Sequence, residues 1–417
     1  MIVVTDMERR LTDDGAELRA RVTGDRRRIA DRELWIRYPA EHYEHLCPRS
    51  DPFLTATLFL AMQHGVPLKV EGPVSRRLFH GLQKYQKILH QWRPRYKVVE
   101  MEADELVDTP LEASAVGAFF SCGVDSFYTL LKNHHSNLPP AEKISHIIFI
   151  GKGFDLIEDD RLYDSLVASV HAAADALGKK AICVDTNARS VLRRGGRVQQ
   201  DWAMGHGLVL ASAALGLGGL LRRVHMPSPF AMSDAHPWAT HPLLDPLLSS
   251  ESLEFVFDGG EATRIEKIRW QIARSQVALD HLRVCWSTYA YNCSDCGKCV
   301  WTMVNLELCG ALDRCKTFHN ELDYRRISEM ELEMDNHRVF ARENYDELFS
   351  GGRAEAHPRL AEAMRQCLSP WARVRPRRLI RYLPAPVSEA LVRGLWATDR
   401  VLLGGRLKTW YHKRYEA

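Results

Sequence analysis

Two short stretches of this chain carry residue types whose spacing suits chemistry. The first is Ser121-Cys122-Gly123-Val124-Asp125-Ser126, between an apolar run at 115–120 and an amphipathic run from Phe127 to Lys132. The first run reads as a short buried strand and the second as the opening turns of a helix. A strand that turns through small residues into a helix aims backbone N–H groups and the positive helix end at one point. That is a cradle for phosphate. The second stretch is Cys285-x7-Cys293-x2-Cys296-x2-Cys299. Four thiolates at that spacing suit tetrahedral Zn²⁺, and saturation by protein ligands makes such a site structural. An iron–sulfur cluster is the competing occupant. Cys309 and Cys315 lie further on in an Ala/Leu context and read as core.

The hexapeptide resembles the SGGxDS signature of the PP-loop ATP pyrophosphatase superfamily, whose members generally cleave ATP to AMP and pyrophosphate while adenylating a substrate. The resemblance implies that Ser121 and Gly123 shape the loop, Asp125 supports the site near Mg²⁺ and the phosphates, and Ser126 caps the helix. Cys122 departs from the pattern, standing where the signature has its first Gly. A Cβ there restricts the backbone, and a position needing positive φ would strain it. A thiol beside a helix N-terminus can also act as a nucleophile when its pKa is lowered, the alternative being a small loop residue.

The cysteine spacing, in turn, is similar to the zinc site of the 7-cyano-7-deazaguanine synthase subgroup, which pairs a PP-loop core with four downstream cysteines. The resemblance covers residues 112–310, about half of the chain, and is loose between the two motifs. It implies a C–N bond-forming, AMP-forming ligase. A substrate carbonyl or carboxylate oxygen attacks the α-phosphorus of ATP, pyrophosphate leaves with Mg²⁺, and ammonia displaces AMP to give an amide or nitrile. No glutaminase-like domain is visible, so free ammonia or a separate donor would supply it. Two other readings stay open: a PP-loop sulfurtransferase acting on tRNA or a small molecule, and a nucleotide-binding regulatory or defence component that does not turn over.

The elements that must position these residues follow from periodicity. From 111 to about 310 strand and helix patterns alternate, with apolar strands at 145–150, 181–185 and 223–227 and helices at 160–177 and 203–221. Short connections of this kind imply an α/β fold with a parallel sheet covered by helices on both faces, and the PP-loop resemblance implies its Rossmann-like (HUP-type) form. Ligands then bind at the carboxyl ends of the strands. There the ATP-binding set would be Ser121, Cys122, Gly123, Val124, Asp125, Ser126, Gly151 and Asn187. Arg189 and Lys152 are placed to neutralise the leaving pyrophosphate, so Ser121, Asp125, Ser126, Arg189 and Lys152 form the expected catalytic set. His206, Ser228, Ser233, Asp234 and His236 also fall near strand ends. His241 and Asp245 are substrate-side candidates by resemblance, and the basic 193–200 loop is a candidate lid or a solvated loop. Ser249, Ser250 and Glu251 read as the start of a helix.

Residues 1–110 read as a small N-terminal α+β accessory region with strands at 33–38 and 68–71 and helices at 53–62 and 74–92. Residues 311–417 read as a basic helical C-terminal region, with helices at 331–349 and 386–403. From Arg365 to Ala417 twelve Lys/Arg stand against three Asp/Glu, with tryptophans and tyrosines interleaved. Such a tail suits tRNA, an acidic carrier protein, an anionic surface, or simply a solvated helical cap. Composition is that of an ordinary globular chain, 46% hydrophobic and 26% charged with a net charge of +3. The uncharged stretch 203–221 reads as a buried helix and not a membrane span. Ten cysteines without an export signal imply reduced thiols and a cytoplasmic setting.

Overall fold

The computed structural model describes residues 1–24, 31–154, 159–191, 198–286, 290–332 and 335–368. Strands β1 (Ile2–Thr12), β2 (Gly15–Gly24) and β3 (Arg32–Tyr38) open the chain as an antiparallel meander. Helix α1 (Asp51–His64), β4 (Leu68–Ser75), α2 (Arg76–Trp92) and β5 (Met101–Val107) follow. Then come β6 (Ala115–Phe119), α3 (Val124–His135), β7 (His146–Ile150), α4 (Asp160–Ala176), β8 (Lys180–Thr186), the single turn α5 (Ala188–Val191), α6 (Val198–Leu215), β9 (Leu221–Pro227) and β10 (Glu254–Asp258). The remaining helices are α7 (Arg264–Trp270), α8 (Gln276–His281), α9 (Gly297–Leu308), α10 (Tyr324–Ser328), α11 (Asp335–Phe349) and α12 (Pro358–Leu368).

All ten strands join one sheet in the order β10-β9-β6-β7-β8-β3-β2-β1-β4-β5. The β10-to-β8 half is parallel throughout. Antiparallel pairing of β8 with β3 carries the sheet on into the leading residues. The sheet is therefore mostly parallel, with an antiparallel middle. Alternation along each strand feeds two cores. Val116, Ala118, Ile147 and Phe149 face a core shared with α3, α4, α8 and α9. Ile148, Ile150, Ile182 and Val184 face the other, which runs under α1, α2 and α6 and continues beneath Leu18, Leu34 and Ile36. The opposite face of the β2–β3 pair carries Glu17, Arg19, Arg37 and Trp35, joined by ion pairs and by Arg37 lying 4.8 Å over the Trp35 ring.

The connections decide where a ligand would bind. The chain runs β6, β7, β8 in one direction along the sheet, then returns through α6 to β9 on the other side of β6. The strand order therefore reverses between β6 and β9, the kind of switch point where open α/β sheets take their ligands. The 121–126 loop leaves β6 at that switch point.

Several elements differ from expectation. The uncharged helix runs Val198–Leu215 and not to Leu221. Gly216, Gly218 and Gly219 turn the chain, and a Cβ at Gly216 would stand 2.0 Å from the Tyr38 hydroxyl. Among the described residues no helix is long and apolar enough to cross a membrane. Ser249 and Ser250 start no helix. Their hydroxyls accept the N–H groups of Phe255 and Leu253 and lead the chain into β10, a strand the pattern did not reveal. The pattern also missed β1, β2 and β5. Most of the 193–200 loop and the 386–403 helix lie outside the described residues.

Two compact units account for the chain. The first is Met1–Leu322 with Leu332–Glu347, the second Asp323–Glu331 with Leu348–Ala417. In the second unit α10 and α12 meet, with Arg359 4.5 Å over the Tyr324 ring.

Asn187 stitches the two halves of the sheet. Its Oδ1 accepts the Trp35 N–H at 2.9 Å, and its Nδ2 donates to the Glu33 carbonyl at 2.7 Å. Losing both bonds at a half-buried site should cost about 1–2 kcal/mol. Asn187→Ala is expected to lower the urea midpoint accordingly, and an unchanged midpoint would show that the joint does not need this strut.

Candidate functional site

Beyond β6 the chain makes a tight turn into α3. The Ser121 N–H donates to Ser126 Oγ at 3.3 Å, and the Ser126 hydroxyl donates to the Gly123 carbonyl at 3.1 Å. Gly123 is the N-cap and offers no side-chain acceptor. The first amides of α3, which have no acceptor within the helix, therefore receive no side-chain cap from Gly123. Ser126 braces the loop from inside and is nearly fully buried.

Cys122 sits at φ 58, in the left-handed region. Its side chain is fully buried, and burial pushes the thiol up to about 12. At neutral pH it is a protonated core thiol without nucleophilic character. The turn keeps the conformation a glycine would adopt, at a cost of about 1–2 kcal/mol for a residue with a Cβ.

Asp125, on the first turn of α3, is gripped by two cations from α7. Lys267 Nζ lies 3.0 Å from Oδ1 and Arg264 Nη1 3.3 Å from Oδ2. Burial pulls the Asp125 carboxyl up, but Lys267 and Arg264 outweigh it and hold it below the usual range. Lys267 is 1% exposed and also donates to the Ser228 carbonyl at the end of β9, while Arg264 is 5% exposed with its Nε unpartnered. Beside them Lys132 bridges Asp258 and Glu261, and Asp258 also holds His225 at 2.7 Å.

Helix α11 closes this side. Glu343 accepts the Arg264 N–H at 3.0 Å, Phe340 lies 4.6 Å below the Arg264 guanidinium, and Arg342 pairs with Asp234. Burial pushes the Glu343 carboxyl up to about 7. From Phe340 a run of ring contacts passes through Phe230, Trp238, His206 and Trp202 to Phe154. His236 packs tilted against Phe230, ring centroids 4.2 Å apart, with its Nε2 buried and unpartnered.

The other expected residues make internal bonds. Lys152 donates to Asp160 at 2.8 Å and lies over Tyr163. Arg189 donates to the Phe154 carbonyl at 2.7 Å and covers the Trp202 ring. Gly151 is hemmed in, since a Cβ there would stand 2.4 Å from the Tyr163 ring. His206 is held neutral by burial, which pulls it down to about 4. Ser233 bonds the neighbouring Asp234. Asp245 is fully buried, accepts the His241 N–H at 3.0 Å and is pushed well above the carboxylate range by burial. Arg264, Lys267, Asp258, Glu261 and Glu343 are what sequence reasoning missed. The one available signal was Thr263-x-x-Glu266, a capping box that starts α7 and sets Arg264 and Lys267 three apart on one face.

The four cysteines come together. The sulfurs of Cys285, Cys293, Cys296 and Cys299 all lie within 4.8 Å of one another, with Cys285–Cys296 at 3.9 Å and Cys293–Cys299 at 4.0 Å. A tetrahedron of sulfurs about 2.3 Å from a zinc ion has edges of about 3.8 Å. The Cys293 and Cys296 N–H groups point at Sγ of Cys285 and Cys293, and Ser294 takes φ 56 to make the knuckle. These residues fit a metal ion such as zinc. Cys309 and Cys315 belong to the core around α9.

No family model, no curated protein and no solved structure matches this chain.

Two outcomes follow from the buried charges. Lys267→Met leaves Asp125 in a site it shares with Arg264 alone and should cost about 3–5 kcal/mol. Because the folded Asp125 pKa is depressed, its stabilising share is present above about pH 4 and lost below it, so acid denaturation curves of this variant should be flatter there. Glu343 has the opposite sign. Its folded value near 7 makes it stabilising at low pH, with that share lost as pH rises through 7. Glu343→Gln should abolish that loss in melting curves taken from pH 5 to 8.

Proposed function

We propose that this chain is an ATP-dependent adenylating enzyme of the PP-loop type, with a Rossmann-like core and a structural Zn²⁺ on Cys285, Cys293, Cys296 and Cys299. One observation carries the reading: the uncapped N-terminus of α3 opens at the sheet's switch point beside Asp125, which two buried cations hold ionised. The amides of Gly123, Val124 and Asp125 would take the phosphates of ATP, with Asp125 near its Mg²⁺ and Ser121 at the loop's exposed rim. Lys267 and Arg264 replace Lys152 and Arg189 as the cations best situated to offset charge on a leaving pyrophosphate. The aromatic run offers faces for an adenine or acceptor ring.

The acceptor on this reading is a small molecule with a carbonyl or carboxylate, and ammonia from solution or a separate donor displaces AMP. Sulfur transfer would need a reactive loop thiol, and the burial of Cys122 weighs against it. Sulfur spacing likewise favours one ion over an iron–sulfur cluster, whose several irons would spread the thiolates. Ten free cysteines suit a reducing, cytoplasmic setting. The tail's proposed tRNA or acidic carrier partner rests on its charge alone.

The test is pyrophosphate release from ATP with Mg²⁺, ammonium and a panel of carboxylic acids, alongside metal analysis. The expected result is acceptor-dependent pyrophosphate and AMP in equal amounts, one zinc per chain, and loss of ATP binding in Gly123→Asp. Tight ATP binding with no pyrophosphate from any acceptor would move the chain to a non-turnover nucleotide sensor. No binding at all would end the reading.

A further inference from the structure

The turn at Cys122 and the cysteine knuckle are joined by a short run of main chain. The Cys122 carbonyl accepts the Arg283 N–H at 2.8 Å. Two residues later comes Cys285, the first of the four cysteines. Asn292, next to Cys293, grips this same run at three points. Its Oδ1 accepts the N–H groups of Val284 at 3.0 Å and Cys285 at 3.3 Å, and its Nδ2 donates to the Leu282 carbonyl at 2.8 Å. The Cys299 thiol also points at Asn292 Oδ1, 3.9 Å away. On the loop side, the Arg283 carbonyl would stand 3.6 Å from a Cβ placed on Gly123, so the run packs directly under the turn.

We infer that Asn292 is a positioning residue that couples the metal-binding cysteines to the 121–126 loop, so that the left-handed turn at Cys122 is stable only while the knuckle is closed. The physical reason is a balance of small energies. A left-handed conformation costs a residue with a Cβ about 1–2 kcal/mol, and it persists only where surrounding bonds over-determine it. Here the hydrogen bond from Arg283 and the burial of the thiol hold it. That donor sits in a run, residues 282–285, held by Asn292 and Cys285 at one end and by the Thr317 hydroxyl, which donates to the Leu282 carbonyl at 2.7 Å, at the other. An open knuckle frees the run, and the turn can then relax toward φ below zero, which swings the Cys122 side chain out of the core and tilts the first amides of α3. A glycine at this position would carry no such strain, and its turn would not depend on the knuckle.

Cys122 itself reports on the turn, because a thiol that is fully buried and pushed up to about 12 reacts only when the loop opens. Cys47 serves as the control. It is 1% exposed, likewise pushed up to about 12, and sits beside Gly216 away from the loop. The experiment is alkylation of the full-length, zinc-loaded protein with iodoacetamide, read peptide by peptide by mass spectrometry, before and after stripping the metal with a chelator. Stripping should speed labelling of Cys122 at least tenfold while Cys47 stays protected. Asn292→Ala should keep one zinc per chain and still label Cys122 roughly tenfold faster, the loss expected for about one net hydrogen bond. Asn292→Asp, which keeps the two acceptor bonds, should restore most of the protection. Equal protection of Cys122 in stripped and loaded protein overturns the coupling, as does Cys47 labelling in parallel, since that is global unfolding. Unchanged Cys122 labelling in zinc-loaded Asn292→Ala removes Asn292 from it. None of these readings requires nucleotide. The inference rests on the proposed phosphate role of the loop only for its consequence, a weaker ATP affinity in Asn292→Ala measured separately by calorimetry.

Discussion

Two buried cations sharing one carboxylate are the constraint around which this structure is arranged. Lys267 and Arg264 are almost sealed from solvent, and a charge in that position is tolerable only with a partner and further hydrogen bonds. Asp125 supplies the partner, the Ser228 carbonyl and the Thr302 hydroxyl supply further bonds, and each comes from a different element. The pairing thereby fixes α7 against α3, the end of β9 and α9 at once. It also sets two cations against the single carboxylate on the first turn of α3.

The legible part of this chain was the part where local pattern and tertiary role coincide. The strands at 145–150, 181–185 and 223–227 are short apolar runs between turn residues, and they form three of the five strands of the parallel half as the pattern implies. The cysteine spacing implied a closed four-sulfur knuckle, and the sulfurs meet. Failures came where one local signal serves two structures. Ser249 and Ser250 look like a helix start because their hydroxyls satisfy backbone N–H groups, and the same ability lets them shape a loop before a strand. Lys152 and Asn187 stand at strand ends, but an adjacent Asp160 and an adjacent strand claim them first. Arg264 and Lys267 lie some 140 residues from the carboxylate they pair with, and no local window contains that information.

The four-cysteine knuckle has a second meaning beside its own closure. Small structural metal sites usually substitute for a hydrophobic core that a short segment cannot build. Here α9 already has such a core, with Trp301, Met303 and Leu306 buried. The four cysteines are better placed to shape the run of chain that ends under the Cys122 turn than to hold α9 in position.

The joint between β3 and β8 bears on how the chain is made. Trp35 and Thr186 bond across 151 residues of intervening sequence. The first three strands leave the ribosome long before their neighbour exists, and until then β3 has an open edge with its ladder unfilled. The charged pairs Glu17 with Arg37 and Arg19 with Glu33 tie β2 to β3 on their outer face, independently of β8.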